Sequence, residues 1–477
     1  MKLLLINLPK NLDNRYDYDL VIQPLGLACI ASFLQSKGFD TVLYDANAYH
    51  LVRSEILQYI DQIGPDMIGI SVMTYQLPIV VSFLRDLKRR NSHLLVVLGG
   101  PHVSAEPQST MECCMDVDYV VTGEGEYTML ELLTLLKQGG NLDAVKGIGY
   151  RHENNIIINP HREMIKDLNE LPYADWSSLP MEKYWDVFTT RKNYARIFAS
   201  RGCPYKCTFC DAPRIMGNKL RKRTPENIIG EITLLYDKYN VREFLFNDST
   251  LNIDNKWLVS LCEEILKMGR PIIWRCNVRA DRLQKDILHL MKRSGCVKVI
   301  MGIESADDAM LRSMQKGESL DDIRRGMQIL KEVGMPSDHG FIIGMPGDTV
   351  ESIHRSIHFA REIDASVVTF SLATPFPGTA FYEQAKQEGM VVNDWAKFDF
   401  FGIPYVPQGM TKEQLQECYR LAVKEFYLRP KYLWHRLLEM RSFTNLRINL
   451  WFAFRILQRR YRLGVLARKE VAKCFLR

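Results

Sequence analysis

The sequence lacks the features of several common classes of protein. Its 11 cysteines are an odd number and are scattered, apart from one cluster and one adjacent pair, so no disulfide framework is indicated. The N-terminal stretch 1–9 is too short for a secretory hydrophobic region and has no small-residue cleavage site. No G-x-G-x-x-G motif follows the first strand-like run, which argues against a dinucleotide ligand. We therefore expect a protein of the reducing cytoplasm.

Length and composition indicate a multidomain globular chain with an uneven charge. The 477 residues predict two to four domains, and 47% hydrophobic with 25% charged residues is an ordinary globular composition. From 424 to 477 there are fourteen Lys and Arg against three Asp and Glu, which leaves 48 basic and 53 acidic residues elsewhere. Such asymmetry bears on interaction partners and not on fold, so the basic tail is a candidate interaction segment.

Three cysteines within eight residues form the most specific motif. Cys203, Cys207 and Cys210 have the spacing C-x3-C-x2-C directly after a strand-like run. Iron–sulfur clusters are commonly held by four thiolates, but the nearest histidine is His161, and Cys262 lies a whole supersecondary unit downstream. We predict a [4Fe–4S] cluster with one iron left open for a ligand. The alternatives are a structural zinc site, which needs a closed set of four ligands, and three unrelated thiols.

Apolar runs alternate with helical patterns over residues 1–150 and predict a doubly wound parallel α/β sheet. The predicted strands are 2–7, 41–44, 67–71, 94–98 and 119–121. Ligands of such sheets bind beyond the carboxyl ends of the strands. The small residues at those ends are Ser71, Thr74, Gly99, Gly100, Gly123 and Gly125. Tight strand-to-helix turns are the alternative explanation of these glycines.

Six further strand-and-helix units predict an open (β/α)6 barrel. The predicted strands are 196–200, 243–247, 272–276, 297–303, 339–344 and 367–372. Chemistry in α/β barrels sits at the carboxyl ends of the strands, and the cysteine motif follows the first strand. We assign residues 1–150 to the first domain, 151–195 to a connector, 196–405 to the barrel and 406–477 to a helical basic C-terminal region.

The cysteine motif, placed after a strand, resembles the signature of the radical S-adenosylmethionine (SAM) enzymes. The segments 23–26, 99–102 and 123–126, which read QPLG, GGPH and GEGE, resemble the N-terminal domain of cobalamin-dependent, B12-binding-domain radical SAM enzymes of the class B methyltransferase type. This chain also lacks a D-x-H-x-x-G motif, so the resemblance implies cobalamin held without a histidine on cobalt. For His102 we expect a solvent-facing or capping role, because a helix is predicted to begin just after it.

The resemblance also implies site residues. It assigns the cluster to the three cysteines and cobalamin to the small residues at the sheet edge. It places Asp248 near the methionine amino group of SAM, and Arg279 and Glu304 at the methionine and ribose. Phe209 is expected at the adenine edge, and Gly344 on the strand beside adenine.

The implied activity is reductive cleavage of SAM at a [4Fe–4S] cluster, followed by cobalamin-dependent methylation of an unactivated carbon. A flavodoxin or ferredoxin is the implied reductant. The alternative is the same machinery used for oxidative cyclisation or rearrangement without methyl transfer. A second alternative is an iron–sulfur electron-transfer or nucleic-acid-binding protein. tRNA methylthiolation is disfavoured because Cys29, Cys113 and Cys114 are poorly spaced for a further cluster.

The tail contains a predicted amphipathic helix over 445–462 with apolar residues on one face and arginines on another. Arginines interrupt every apolar run, so no transmembrane span is predicted. A basic amphipathic helix is typical of an anionic membrane surface, and such contact with the inner face of the membrane would favour a lipophilic substrate. A helix packed on the barrel is the alternative, and nucleic acid is the least favoured partner.

Overall fold

The structure is a computed structural model. It describes residues 1–15, 21–153, 155–186, 189, 193–363, 365, 367–389, 391, 394–399, 402–430 and 432. The predicted helix over 445–462 lies outside these residues. None of the helices in the described ranges has the length and apolar character to cross a membrane.

The first domain is built on a seven-stranded sheet with the order β2-β1-β3-β4-β5-β6-β7. Its strands are β1 Lys2–Asn7, β2 Asp40–Asp45, β3 Met67–Ser71, β4 Leu95–Gly99, β5 Tyr119–Val121, β6 Ile148–His152 and β7 Asn155–Ile158. The first five are parallel, as predicted, whereas β6 and β7 form an antiparallel hairpin at the edge. The sheet therefore continues beyond residue 150.

Six helices connect and cover these strands. They are α1 Leu25–Ser36, α2 Arg53–Ile63, α3 Leu77–Arg90, α4 Pro101–Ala105, α5 Pro107–Cys113 and α6 Gly125–Gln138. Helix α2 ends at Gly64, whose φ of 59° is the left-handed conformation that glycine adopts at low cost. The arrangement is the doubly wound α/β fold that the sequence predicts.

The second domain is an open, all-parallel six-stranded sheet with the order β15-β14-β13-β12-β11-β8. These strands are β8 Tyr194–Ile197, β11 Glu243–Phe246, β12 Ile273–Val278, β13 Cys296–Glu304, β14 Ser337–Ile343 and β15 Val367–Leu372. Two short strands, β9 Ser200–Arg201 and β10 Arg221–Lys222, pair antiparallel beside it. The sequential order matches the predicted partial (β/α)6 barrel.

Nine helices follow the barrel strands and the short pair. They are α7 Ala212–Met216, α8 Pro225–Tyr239, α9 Asn255–Lys267, α10 Lys285–Arg293, α11 Asp308–Ser313, α12 Leu320–Val333, α13 Val350–Glu362, α14 Ala380–Gln387 and α15 Lys412–Tyr427. Several begin at hydroxyl caps: Ser319, Thr349 and Thr411 each accept a bond from the backbone three residues on. Helix α15 lies in the region 406–477, which the sequence predicts to be helical.

The two domains share a hydrophobic core. Alternate residues of β1 face opposite sides: Leu4 and Ile6 pack in one cluster, whereas Leu3 and Leu5 belong to a second. That second cluster continues through α1 and the connector into the barrel, where it includes Tyr194. Because the core is continuous, the two sheets are packed against each other and not merely tethered.

Candidate functional site

The cysteine loop leaves β9 through a glycine that no other residue could replace without strain. Gly202 has φ of 92°, and a Cβ atom there would collide with the Lys219 carbonyl. The next amide, that of Cys203, donates to the Gly217 carbonyl at 3.1 Å. The start of the loop is therefore fixed on both sides by backbone contacts.

The three cysteines form a donor set that suits a cluster. Cys203 is buried, whereas Cys207 and Cys210 are half-buried. Burial raises the pKa of the Cys210 thiol to about 12, and burial also raises the pKa of Cys207 although the charges of Lys316 and Arg279 oppose it. In the described part of the chain, no three His, Cys, Asp or Glu side chains converge closely enough to hold one metal ion. The motif supplies three thiols, whereas a structural zinc site takes four ligands, so this donor set fits a [4Fe–4S] cluster with one open iron better than zinc.

Asp248 reaches across from the end of β11 to the residues that lead into this loop. Its Oδ1 accepts from the Ser200 hydroxyl at 2.5 Å and its Oδ2 from the Ala199 amide at 3.2 Å. Burial raises the pKa of this carboxyl to about 6, although the hydrogen bonds from Ser200 and Ala199 lower it. The geometry gives Asp248 a role in anchoring the loop, and its assignment to the methionine amino group stays a prediction.

Arg279 lies at the end of β12, beside the cysteine loop. Its guanidinium group sits 3.7 Å from the ring centroid of Tyr205, within the C-x3-C segment, and donates to the carbonyls of Lys316 and Gly317 at 2.9 and 3.1 Å. Asp281 accepts a further bond at 3.0 Å. Burial lowers the pKa of Arg279, but Asp281 and Glu318 raise it by more, so the group stays cationic.

Lys316 and Glu318 complete this polar group, and the sequence analysis missed both. Lys316 Nζ lies 3.3 Å from Glu304 and 3.5 Å from Glu318, and all three side chains are at most 13% exposed. Glu304 itself has φ of 67°, an unusual conformation for a residue with a side chain. Residues 314–318 give no strand or cap signal in the sequence. Only the fold brings them to the rim, by which we mean the edge formed by the carboxyl ends of the barrel strands.

Phe209 and Gly344 lie on the other side of the rim. Phe209 packs against an apolar cluster that includes Met345 and Phe381. Gly344 has φ of 89°, and a Cβ atom there would lie 2.8 Å from Leu415. Its amide donates to Asp348 at 2.9 Å. Asp348 thus caps the turn after β14, and the roles of Phe209 and Gly344 toward SAM stay predictions.

The small residues at the edge of the first sheet come together in space. A Cβ atom on Gly100, which has φ of 93°, would lie 2.6 Å from the Ser71 hydroxyl oxygen and 2.7 Å from the Val72 nitrogen. The Gly99 carbonyl accepts from the Val72 amide at 2.9 Å. Around Gly123, which also has positive φ, the space is open. Packing against Ser71 and Val72 is therefore sufficient to explain Gly100, whereas Gly123 leaves room for a ligand to approach the backbone.

Two residues of this edge have partners within the protein. The Thr74 hydroxyl lies 3.3 Å from Nδ1 of His102, and a Cβ atom on Gly125 would meet Ile30 at 2.7 Å. Packing against α1 is therefore sufficient to explain the glycine at position 125. The assignment of both residues to cobalamin stays a prediction.

The expectation that His102 faces solvent or caps a helix is wrong. The helix begins at Pro101, and the His102 side chain is fully buried. Its ring makes an edge-to-face contact with Trp395 at 5.2 Å, and burial lowers its pKa to about 4. The tertiary structure covers this ring with Trp395, which follows α14 and is 293 residues away in the sequence.

The carboxyl ends of the two sheets face each other across the cysteine loop. Arg201 pairs with Glu124 at 3.0 Å and with Glu126 at 2.7 Å, both in the segment after β5. Arg214, in α7, donates to the Ala105 carbonyl at the end of α4 at 3.2 Å. The predicted cobalamin edge and the predicted cluster loop are therefore neighbours.

Comparisons with known proteins agree with this arrangement. Residues 16–133 match the B12 binding domain, and residues 197–360 match the Radical SAM superfamily. An uncharacterized methyltransferase of Pyrococcus horikoshii is 32% identical over 88% of this chain and 91% of its own length. The anaerobic magnesium-protoporphyrin IX monomethyl ester cyclase of Rubrivivax gelatinosus is 26% identical over 86% and 74%. The cytidylyl-2-hydroxyethylphosphonate methyltransferase of Streptomyces wedmorensis is 26% identical over 82% of each chain.

Solved structures share the fold. The radical SAM methyltransferase TsrM of Kitasatospora setae, with cobalamin and a [4Fe–4S] cluster bound, has a TM-score of 0.69 at 19% identity over 90% of each chain. The cobalamin-dependent SAM radical enzyme OxsB has a TM-score of 0.75 at 17% identity over 97% of this chain and 72% of its own. With both domain families matched in order and a relative 32% identical along most of its length, the chain belongs to the cobalamin-dependent, B12-binding-domain radical SAM enzymes of the class B methyltransferase type.

Proposed function

We propose that this enzyme methylates an unactivated carbon of a small, lipophilic substrate bound between the two strand-end edges. The observation that carries the proposal is the meeting of these edges across the cysteine loop, through the Arg201 pairs and the Arg214 contact. When bound, the cluster supplies the electron that cleaves SAM, and the cobalamin supplies the methyl group. The protein has to hold both groups and the substrate in fixed geometry.

In this proposal the three cysteines hold the cluster, and the rim residues line the SAM site. Arg279, Lys316 and Glu304 offer buried charges of both signs, which suit the zwitterionic methionine part of SAM and its ribose hydroxyls. Phe209 offers an apolar edge for adenine. Their burial also excludes water, which would otherwise quench reactive species.

The lipophilic substrate is inferred from two observations. The Rubrivivax relative is named for a tetrapyrrole ester, and the basic tail has the composition of a segment that lies on anionic membranes. A protein on the inner face of the membrane would take its substrate from the bilayer. An acidic flavodoxin or ferredoxin is the proposed reductant, because Lys206 and Lys219 are exposed beside the cysteine loop.

The test uses anaerobically reconstituted full-length protein with cobalamin, methyl-labelled SAM and a panel of lipophilic substrates that includes magnesium-protoporphyrin IX monomethyl ester. We expect the label in one substrate together with 5′-deoxyadenosine, and neither product from Cys203→Ala. Label that never enters product while 5′-deoxyadenosine forms would reject methylation. An unlabelled ring-closed product would support the second candidate, an oxidative cyclase, which the activity named for the Rubrivivax relative favours.

A further inference from the structure

A buried group of four charged side chains joins the two domains directly behind the first cluster cysteine. Arg201 contacts Glu124 at 3.0 Å and Glu126 at 2.7 Å, and Arg221 contacts Glu124 at 2.8 Å. The two glutamates belong to the first domain, and the two arginines belong to the paired strands β9 and β10. The four side chains are 4% to 11% exposed.

Backbone groups satisfy most of the remaining hydrogen-bonding capacity. The Ile165 amide donates to Glu124 at 2.8 Å, and Arg221 donates to the carbonyls of Ile165 and Met216 at 2.6 and 2.5 Å. Burial raises the pKa of Glu124, but Arg221 and Arg201 lower it by more, so this carboxylate is ionised. Burial lowers the pKa of Arg201, but Glu126, Cys29 and Glu124 together raise it by more.

Net stability is a weak explanation for such a group. Buried ion pairs lose most of their attraction to the cost of removing the charges from water, and apolar residues of similar volume often stabilise a fold better. What a forked guanidinium between two carboxylates supplies is geometry, because each bond fixes direction as well as distance. The arrangement therefore indicates that the two domains have to be held in a fixed relative position at this point.

The group also connects the cobalamin edge to the cluster loop without a break. The Ser104 hydroxyl donates to the Gly100 carbonyl at 2.8 Å and accepts from the Gly123 amide at 3.0 Å. Glu124 follows directly and binds Arg201, which precedes Gly202 and Cys203. Because only Gly202 separates Arg201 from Cys203, a displacement of Arg201 acts on Cys203 through one intervening residue.

We propose that Arg201 is a positioning residue that sets the distance between bound cobalamin and the cluster through Glu124 and Glu126. The inference rests on the proposed function, because it concerns how that function's two groups are held. It assigns no chemistry to Arg201, which acts only through the two loops. A misplacement of about 1 Å between reacting groups can cost about 100-fold in rate, so this distance matters.

The experiment measures the distance directly and needs no organic substrate. Full-length protein is loaded with cob(II)alamin and its cluster is reduced. Pulsed electron paramagnetic resonance then gives the magnetic coupling between cobalt and cluster. The variants are Arg201→Lys, which keeps the charge and loses the fork, and Glu126→Gln, which keeps the shape and loses one charge. Glu231→Gln is the matched control, because Glu231 pairs with Arg223 at 2.5 Å in an equally buried pair that does not involve the first domain.

We expect the distance distribution to broaden or shift in Arg201→Lys and Glu126→Gln, with iron and corrinoid content unchanged, and to stay as in wild type in Glu231→Gln. If Arg201→Lys does not fold, the smaller change in Glu126→Gln decides the question. Identical distributions in the fully loaded wild type and variants would overturn the positioning role while leaving the proposed function intact. Wild-type protein that binds no corrinoid would overturn both.

Discussion

The carboxylate of Asp248 holds the Ser200 hydroxyl at 2.5 Å, three residues before the first cysteine of the cluster motif. The same carboxylate accepts a hydrogen bond from the amide of Ala199, so one side chain just after β11 fixes two successive residues of the approach to the loop. The cluster loop is thus held from the barrel by Asp248 and from the first domain by Glu124 and Glu126. In each of these contacts, the two residues are more than 45 positions apart in the sequence.

The first prediction concerns Asp248→Asn. An amide offers only one acceptor oxygen, so one buried donor loses its partner, at a cost of about 1–3 kcal/mol. We expect less iron per chain after reconstitution, with the secondary structure unchanged. Asp348→Asn is the control, because Asp348 is also buried and accepts three hydrogen bonds, but within the turn after β14. Equal iron content in the two variants would contradict the anchoring role.

Gly100→Ala should damage the cobalamin edge. The new Cβ atom would lie 2.6 Å from Ser71 Oγ, in a backbone conformation with φ of 93° and ψ of −175° that glycine alone adopts readily. We expect a loss of about 2–4 kcal/mol in unfolding free energy and weaker retention of cobalamin on gel filtration. Gly38→Ala is the matched control, since Gly38 also has positive φ but nothing within 4 Å of a Cβ atom. Unchanged retention of cobalamin in Gly100→Ala would show that cobalamin does not bind at this edge.

His102 should make stability depend on pH. Its pKa falls from 6.5 to about 4 because the ring is buried, so the unfolded chain binds a proton that the folded protein excludes. Stability from this residue is complete above pH 6.5 and is lost as pH falls toward 4. We expect wild-type protein to lose about 1.4 kcal/mol between neutral pH and about pH 5.5 relative to His102→Phe. If wild type and His102→Phe lost the same stability between the two pH values, as measured by thermal denaturation, the folded protein would have to protonate His102 as readily as the unfolded chain.

The basic tail should bind anionic vesicles. Replacing Arg455, Arg459 and Arg462 by Gln in the full chain removes three cations, each contributing about 1 kcal/mol at an anionic surface, so binding should weaken about 100-fold. The measurement is flotation with phosphatidylglycerol vesicles at low salt, and phosphatidylcholine vesicles are the control. Wild-type protein that stays at the bottom of the gradient with both lipids would remove the membrane contact from the proposal.

The elements of the fold follow from local patterns. Buried parallel strands read as short apolar runs, so the sequence predicts β1, β3 and β5 at their observed bounds. The hairpin of β6 and β7 extends the first sheet beyond residue 150, because pairing at a sheet edge depends on which strand is already there.

The candidate site also has one part that the sequence predicts and another that depends on tertiary contacts. Spacing alone indicated three thiols for a cluster with an open iron. Thiols that are close in the sequence can reach the same cluster without any long-range contact. Lys316 and Glu318 were missed because a lysine and a glutamate in a loop look solvated until the loop is folded over the rim. The role of His102 was predicted wrongly because Trp395, which covers its ring, lies 293 residues further along the chain.

By itself, the sequence determined the order of the two domains and the family, and it predicted the three cysteines as cluster ligands, since these depend on periodicity and on residues a few positions apart. The tertiary structure decided how the two domains meet. The pairing of Arg201 with Glu124 and Glu126 joins residues 75 and more positions apart, and charge or periodicity in either segment does not indicate it. Only the packing of both sheets on one continuous core places these charges within hydrogen-bonding distance and out of water.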